Sequence, residues 1–229
     1  MYRELKGIEY IMSRIRLNKS MKKSTVGTIL TNHIITNKRG YLIVTILFFV
    51  GLIIGVFILN NTDNNKIEEI NTYLNELATK VKTYDKIEYF SLLKESLISN
   101  FIIIILLWFG ASTIIGIPLV YGTVLFKGFS FGYTISSIIA CFGTEKGILI
   151  SLSTMLLHNI IFIPSMLGAS VSGLKLYQSI MKNKERNNIK MEILRHTVFC
   201  TFMLILMLIS SILEIYVSTN LFIILLKKI

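Results

Sequence analysis

Hydrophobic positions along this chain are gathered into long runs, and the charged positions fall between the runs. Tyr41 to Leu59 carries no charge over nineteen residues. Ser96 to Phe126 is charge-free and holds a second stretch, taken as Ile98 to Tyr121; Gly128 to Thr144, Gly147 to Leu174 and Thr197 to Leu226 follow, the last interrupted by Glu214 alone. Crossing the hydrocarbon core takes about 20 apolar residues at about 1.5 Å rise each. The pattern therefore predicts an all-α polytopic membrane protein, a five-span helical bundle. The third stretch has seventeen residues and would cover only about 26 Å, so it is expected to be a short or re-entrant helix. Residues 1–40 read as a basic cytoplasmic segment and 41–229 as the membrane domain.

Composition agrees: 53% of the residues are hydrophobic and 16% charged, too apolar for a soluble domain of 229 residues. Charge then sets orientation. Nine Lys and Arg precede the first span, Lys127 falls between spans two and three as read here, and six more separate spans four and five. The opposite side carries eight, which predicts a cytoplasmic N-terminus and an external C-terminus. The net charge of +11 resides mostly in these cytoplasmic flanks, where anionic lipid is the expected partner, and no nucleic-acid motif accompanies it. The first span is expected to be an uncleaved signal anchor, since Asn60-Asn61-Thr62-Asp63 offers no small-residue cleavage site.

Two segments outside the spans keep a helical period. In residues 1–20, Leu5, Ile8, Met12 and Ile15 form an apolar stripe beside basic positions, suited to the inner membrane surface. In the external loop, about 60–97, Ile67, Ile70, Tyr73, Leu74, Leu77 and Val81 share one face, and Tyr84, Ile87, Phe90, Leu93 and Leu97 continue into span two. The loop is too long for a plain connection and is the most plausible outward protein-binding surface.

Within the spans, small residues recur every fourth position: Gly51 and Gly55 in the first, Gly128, Gly132, Ser136 and Ala140 in the third, and Ser165, Ala169 and Gly173 in the fourth. Such stripes let helix backbones approach closely, here within the bundle or across a homo-oligomer. His158 and Glu214 are the ionisable candidates, and His158 is the one histidine placed inside a span. Counted along straight helices their depths differ by roughly 10 Å, so a direct His–Glu pair is not expected. Pro118 and Pro164 are expected to kink spans two and four, with Asn159 placed to satisfy a carbonyl freed near Pro164. Cys141 and Cys200 read as buried apolar residues, and neither a metal nor a cofactor is expected. His-Glu-x-x-His, Gly-x-Ser-x-Gly and phosphate-binding glycine loops are absent, and Asp63 and Asp85, the two aspartates, lie in the external loop. No catalytic residue is assigned, and an enzyme is not expected. A permease subunit with a polar path lined by His158 and Glu214 is the alternative.

Several motifs together resemble the stage II sporulation protein M family of endospore-forming Firmicutes. They are Gly116-Ile117-Pro118-Leu119, Phe126-Lys127-Gly128, Phe131-Gly132-Tyr133-Thr134, Gly147-Ile148-Leu149, His158-Asn159-Ile160-Ile161-Phe162-Ile163-Pro164 and Ser211-Ile212-Leu213-Glu214, with Tyr41-Leu42 to Gly55 at the entry. The likeness runs from about Leu30 to the C-terminus. A wider superfamily carries Pro-His-Gly-x-x-Glu-x-Pro in span four, where this chain has Leu157, Asn159 and Phe162 at the first Pro, Gly and Glu positions. The resemblance implies five spans, N-terminus inside and C-terminus outside. It further implies a non-enzymatic scaffold in the cell membrane at the sporulation septum. There it would recruit peptidoglycan hydrolases resembling stage II sporulation proteins D and P for engulfment of the forespore.

Overall fold

The computed structural model describes residues 26–83, 89–113, 116–182 and 186–228, and among these every regular element is helical. The stripe expected in residues 1–20 lies outside the described residues, as do Tyr84 and Ile87 of the loop. The chain divides into two compact units at Arg39 and Gly40. In the first, helix α1 (Val26–Thr36) ends where Asn37 caps it, donating from Nδ2 to His33 O at 2.8 Å.

The second unit is a bundle with five helices long and apolar enough to cross a membrane, as the hydrophobic runs predict. Helix α2 (Lys38–Asn60) buries Val44, Phe48, Gly51, Gly55 and Leu59, spaced three or four apart, and exposes Ile46, Phe49, Ile53 and Phe57 on its lipid-facing side. It stops where Thr62 Oγ1 and Asn61 Nδ2 take up the carbonyls of Ile58 and Phe57 at 2.7 and 2.8 Å. Asp63 then opens α3 (Asn64–Thr83), its carbonyl accepting the N–H groups of Lys66 and Ile67. Ile67, Ile70 and Leu74 on this helix are half-buried while Glu68, Glu69, Tyr73 and Glu76 are exposed. The first part of the connection between spans one and two is thus an amphipathic helix laid against α5 and α8.

The next two spans depart from the expected boundaries. Helix α4 covers Tyr89–Ser112 and α5 covers Gly116–Phe142, so one helix ends and the next begins inside what the charge pattern reads as one run from Ile98 to Tyr121. The third span is therefore a 27-residue helix, not a short one, and is long and apolar enough to cross a membrane. Lys127 lies in its middle, not in a connection. The physical cause is Pro118. It sits in the first turn of α5, where its missing N–H has no intrahelical acceptor to lose, so it starts a helix and does not kink span two. Gly116 permits the tight return, because a Cβ there would overlap Gly110 O.

Gly143, at φ +80°, ends α5 in the left-handed conformation that favours glycine and turns the chain into α6 (Thr144–Lys182). Helix α6 is the spine of the bundle, packing on α4, α5 and α7 (Arg186–Leu213). From Ser165 to Leu174 it is buried on every side. Small residues make that achievable, because Gly168, Ala169, Ser170 and Gly173 let three neighbours close in. The α-helix continues through Pro164. Asn159 donates to Met155 O at 2.7 Å and not to the carbonyl of Ile160 that Pro164 frees, so the expected rescue does not occur. Span five is α7, a single π-helical turn (Glu214–Ser218) and α8 (Thr219–Lys228).

The small-residue stripes of spans one and three face each other. A Cβ on Gly51 or Gly55 would overlap the carbonyls of Leu125 or Phe129, and one on Gly128 or Gly132 would overlap those of Phe48 or Leu52. The two backbones are in contact, a geometry that favours Cα–H···O interactions and leaves no room for a side chain. Ser136 extends the seam with a 3.2 Å hydrogen bond to Asn60 Oδ1, whereas Ala140 is exposed beyond it.

Candidate functional site

Polar side chains from four spans converge on one cavity of about 500 Å³ inside the bundle. Helix α4 supplies Ser96 and Asn100, one turn apart on the same face, α5 supplies Lys127, α6 supplies His158 and Asn159, and the π-helical turn supplies Glu214. Phe48 of α2 and Phe162 of α6 form apolar walls.

His158 Nε2 lies 3.9 Å from Glu214 Oε1, against the expectation that the two sit at different depths. The depth count failed because it took the two residues from opposite ends of antiparallel spans. His158 is fourteen residues beyond Thr144 and Glu214 fourteen before Lys228, two helix ends on the same side of the bundle. Both ring nitrogens of His158 are engaged. Nδ1 faces Ser218 Oγ at 3.4 Å, and Nε2 faces Asn159 Nδ2 at 3.0 Å. Asn159 Nδ2 is a donor, so Nε2 accepts and Nδ1 carries the hydrogen, which assigns a neutral tautomer by hydrogen-bond logic. Ser210 Oγ donates to the His158 carbonyl at 2.8 Å and ties α7 to α6 at this level.

Glu214 Oε2 accepts a 2.6 Å hydrogen bond from Ser96 Oγ. The turn that Glu214 begins contains an extra residue, with the backbone N–H and Oγ1 of Thr219 both directed at Glu214 O. Such turns are frequently found at functional sites. Asn100 is buried and donates to Ser211 Oγ at 2.6 Å, so α4 meets span five through two polar pairs one turn apart. Above them Tyr89 stacks on Tyr216 at 5.8 Å and its hydroxyl donates to Asn220 Oδ1 at 2.9 Å.

Lys127 is the residue that the sequence reading misplaced. Its Nζ lies 5.4 Å from the centre of the Phe162 ring, a cation–π distance, and it forms no ion pair among the described residues. Phe162 stands where the wider superfamily pattern has Glu. A signal for Lys127 existed: Lys127, Ser130, Phe131 and Thr134 repeat at three and four residues, as do Ser96, Ser99 and Asn100 on α4. A lysine in step with such a face belongs to a helix lining a polar space.

A second polar cluster joins α6 and α7. His196 is 3% exposed, so His158 is not the one histidine inside a span. Ser172 Oγ lies 2.9 Å from His196 Nδ1, and Cys200 Sγ lies 3.5 Å from Nε2. Nearby, Trp108 Nε1 donates to Thr197 Oγ1 at 3.0 Å. Neither cysteine is in a disulfide, Cys200 being buried and Cys141 half-buried at the end of α5. Among the described residues no three His, Cys, Asp or Glu side chains come together in a way that would hold a metal ion.

The fold and the cavity define a multi-pass helical membrane protein with an ionisable centre built from spans two to five. The family model described as Stage II sporulation protein M matches residues 44–219, most of the chain, and the protein belongs to that family. The match begins within α2 and ends just past the π-helical turn, so it includes every residue of the cavity. No curated protein and no solved structure matches the chain.

Proposed function

We propose that this sporulation-family membrane protein is a non-enzymatic scaffold that recruits and localises peptidoglycan hydrolases, proteins resembling stage II sporulation proteins D and P, at the sporulation septum on the mother-cell side. The observation that carries the reading is the placement of α3. A connection of this length between two spans is built as an amphipathic helix whose apolar face is spent on α5 and α8. Its other face, with Glu68, Glu69, Tyr73 and Glu76, is presented outward on a fixed support. Tyr73 is 63% exposed between carboxylates, the combination of aromatic anchor and charge that protein interfaces favour.

The test is co-purification from sporulating cells of the wild-type protein and of a variant carrying Glu68→Lys, Glu69→Lys, Tyr73→Ala and Glu76→Lys. Hydrolases recovered with the wild type and lost with the variant support the scaffold and its face. Equal recovery from both removes α3 as the binding surface.

The cavity favours a second reading, a permease subunit with His158 and Glu214 in its polar path. That reading requires Glu214→Gln to abolish engulfment while the hydrolases still localise. The scaffold reading requires recruitment and engulfment to fail together in the α3 variant.

A further inference from the structure

Lys127 and Glu214 line the same cavity from different spans and are not paired with each other. Opposite charges in a low-dielectric interior attract strongly and normally close into contact. Here no such contact forms between them. Glu214 has a hydroxyl on one oxygen and an imidazole at 3.9 Å from the other, and the Lys127 ammonium lies over the face of Phe162 with no carboxylate in contact among the described residues. An ammonium inside a membrane with no acceptor is costly, so the space in front of it calls for an anionic group.

A simple anion would not fit, because it would meet Glu214, with Glu95 at the rim of the same cavity. A simple cation would face Lys127. A molecule with one charge of each sign satisfies both walls. The volume of about 500 Å³ falls within the roughly 300–1,000 Å³ of small-molecule sites.

We propose that this cavity binds a small zwitterion, its anionic group on Lys127 and its ammonium group on Glu214. The chemistry is shared by two sources, a free amino acid or short peptide and the phosphoethanolamine headgroup of a lipid. The site stands on the bundle geometry and is independent of hydrolase recruitment by α3.

The test uses the full-length protein in detergent, depleted of lipid, with binding measured by titration calorimetry. The probes are alanyl-alanine and glycerophosphoethanolamine, the phosphodiester that carries the lipid headgroup's single negative charge, with N-acetyl-alanyl-alanine and alanyl-alanine amide as forms lacking one charge, and ethanolamine and glycerophosphoglycerol for the headgroup. At least one zwitterion binds, and removing either of its charges weakens binding about tenfold or more. Binding of alanyl-alanine assigns the soluble source. Binding of glycerophosphoethanolamine, with phosphatidylethanolamine retained through purification of the wild type and lost from Glu214→Gln, assigns the lipid. Phe162→Glu offers Lys127 an internal carboxylate and abolishes binding in either case, and Lys127→Met serves where that variant does not fold. The comparison of charged and blocked probes on the wild type needs no variant. Failure of both zwitterions to bind, or equal binding of the blocked forms, overturns the proposal.

Discussion

Ser96 on span two donates a 2.6 Å hydrogen bond to Glu214 on span five, and this pair fixes the carboxylate that the charge pattern marked as an isolated interruption. A hydrogen bond to a charged group contributes about 1.5–3 kcal/mol, and a carboxylate left without it is costly. Ser96→Ala is therefore expected to lower the melting temperature of the purified protein. Glu214→Gln keeps a carbonyl oxygen that can accept from Ser96 Oγ and is expected to cost less. Circular dichroism melts in one detergent compare them, and a larger loss for Glu214→Gln would contradict the assignment.

The seam between spans one and three predicts a steep size dependence. A Cβ at Gly128 or Gly132 strikes backbone atoms of α2, which have no rotamer to escape into. Overpacking in a tight core costs about 1–3 kcal/mol, and a rigid neighbour places these sites at the upper end or above. Gly128→Val and Gly132→Val should sharply reduce the protein that accumulates in membranes. Gly122→Val, at a position open around its Cα, should leave the level unchanged. Immunoblots of membrane fractions decide this.

Span two ends at Ser112 and span three begins at Gly116, with Lys127 well inside the third helix. Topology reporters check it together with the orientation expected from charge. Moving Lys127 into a span leaves fifteen Lys and Arg in the segments expected in the cytoplasm against eight in those expected outside, so the charge count still predicts the same orientation. Fusions ending at Thr113 and at Asn183 should report the cytoplasm, and fusions in α3 and after Lys228 the exterior. A cytoplasmic signal from the α3 fusion would reverse the topology.

His196 is expected to be structural. It sits between Ser172 and Cys200 at 3% exposure, so His196→Ala leaves a cavity and an unpaired hydroxyl. Each such defect typically costs about 1–3 kcal/mol. The melting temperature should fall more for His196→Ala than for His158→Ala, whose ring borders an open cavity.

Five spans were legible in the sequence because hydrocarbon tolerates few charges, and the helix in the external loop was legible because Ile67, Ile70 and Leu74 keep the helical period. The third span was misread for one reason. Lys127 was taken as a boundary, although a cation facing a polar cavity does not end a helix, whereas Gly116 and Pro118 do mark where one starts. Gly51, Gly55, Gly128 and Gly132 could be named from their spacing, but their partners could not, since spacing says which face is flat and not what lies on it. Nearness of His158 to Glu214 was hidden by antiparallel packing, because depth has to be counted from the end that the two spans share. Ser96 and Asn100 went unnoticed, as neutral polar residues cost too little in a span to stand out until their partners are seen.

The account turns on whether the outward face of α3 brings hydrolases to the septum. Fluorescently tagged hydrolases should be followed in sporulating cells expressing either the wild-type protein or the variant with Glu68, Glu69 and Glu76 changed to Lys and Tyr73 to Ala. The account predicts septal foci with the wild type and dispersed signal with the variant, at equal membrane levels of both proteins. Undiminished septal foci with the variant would contradict it.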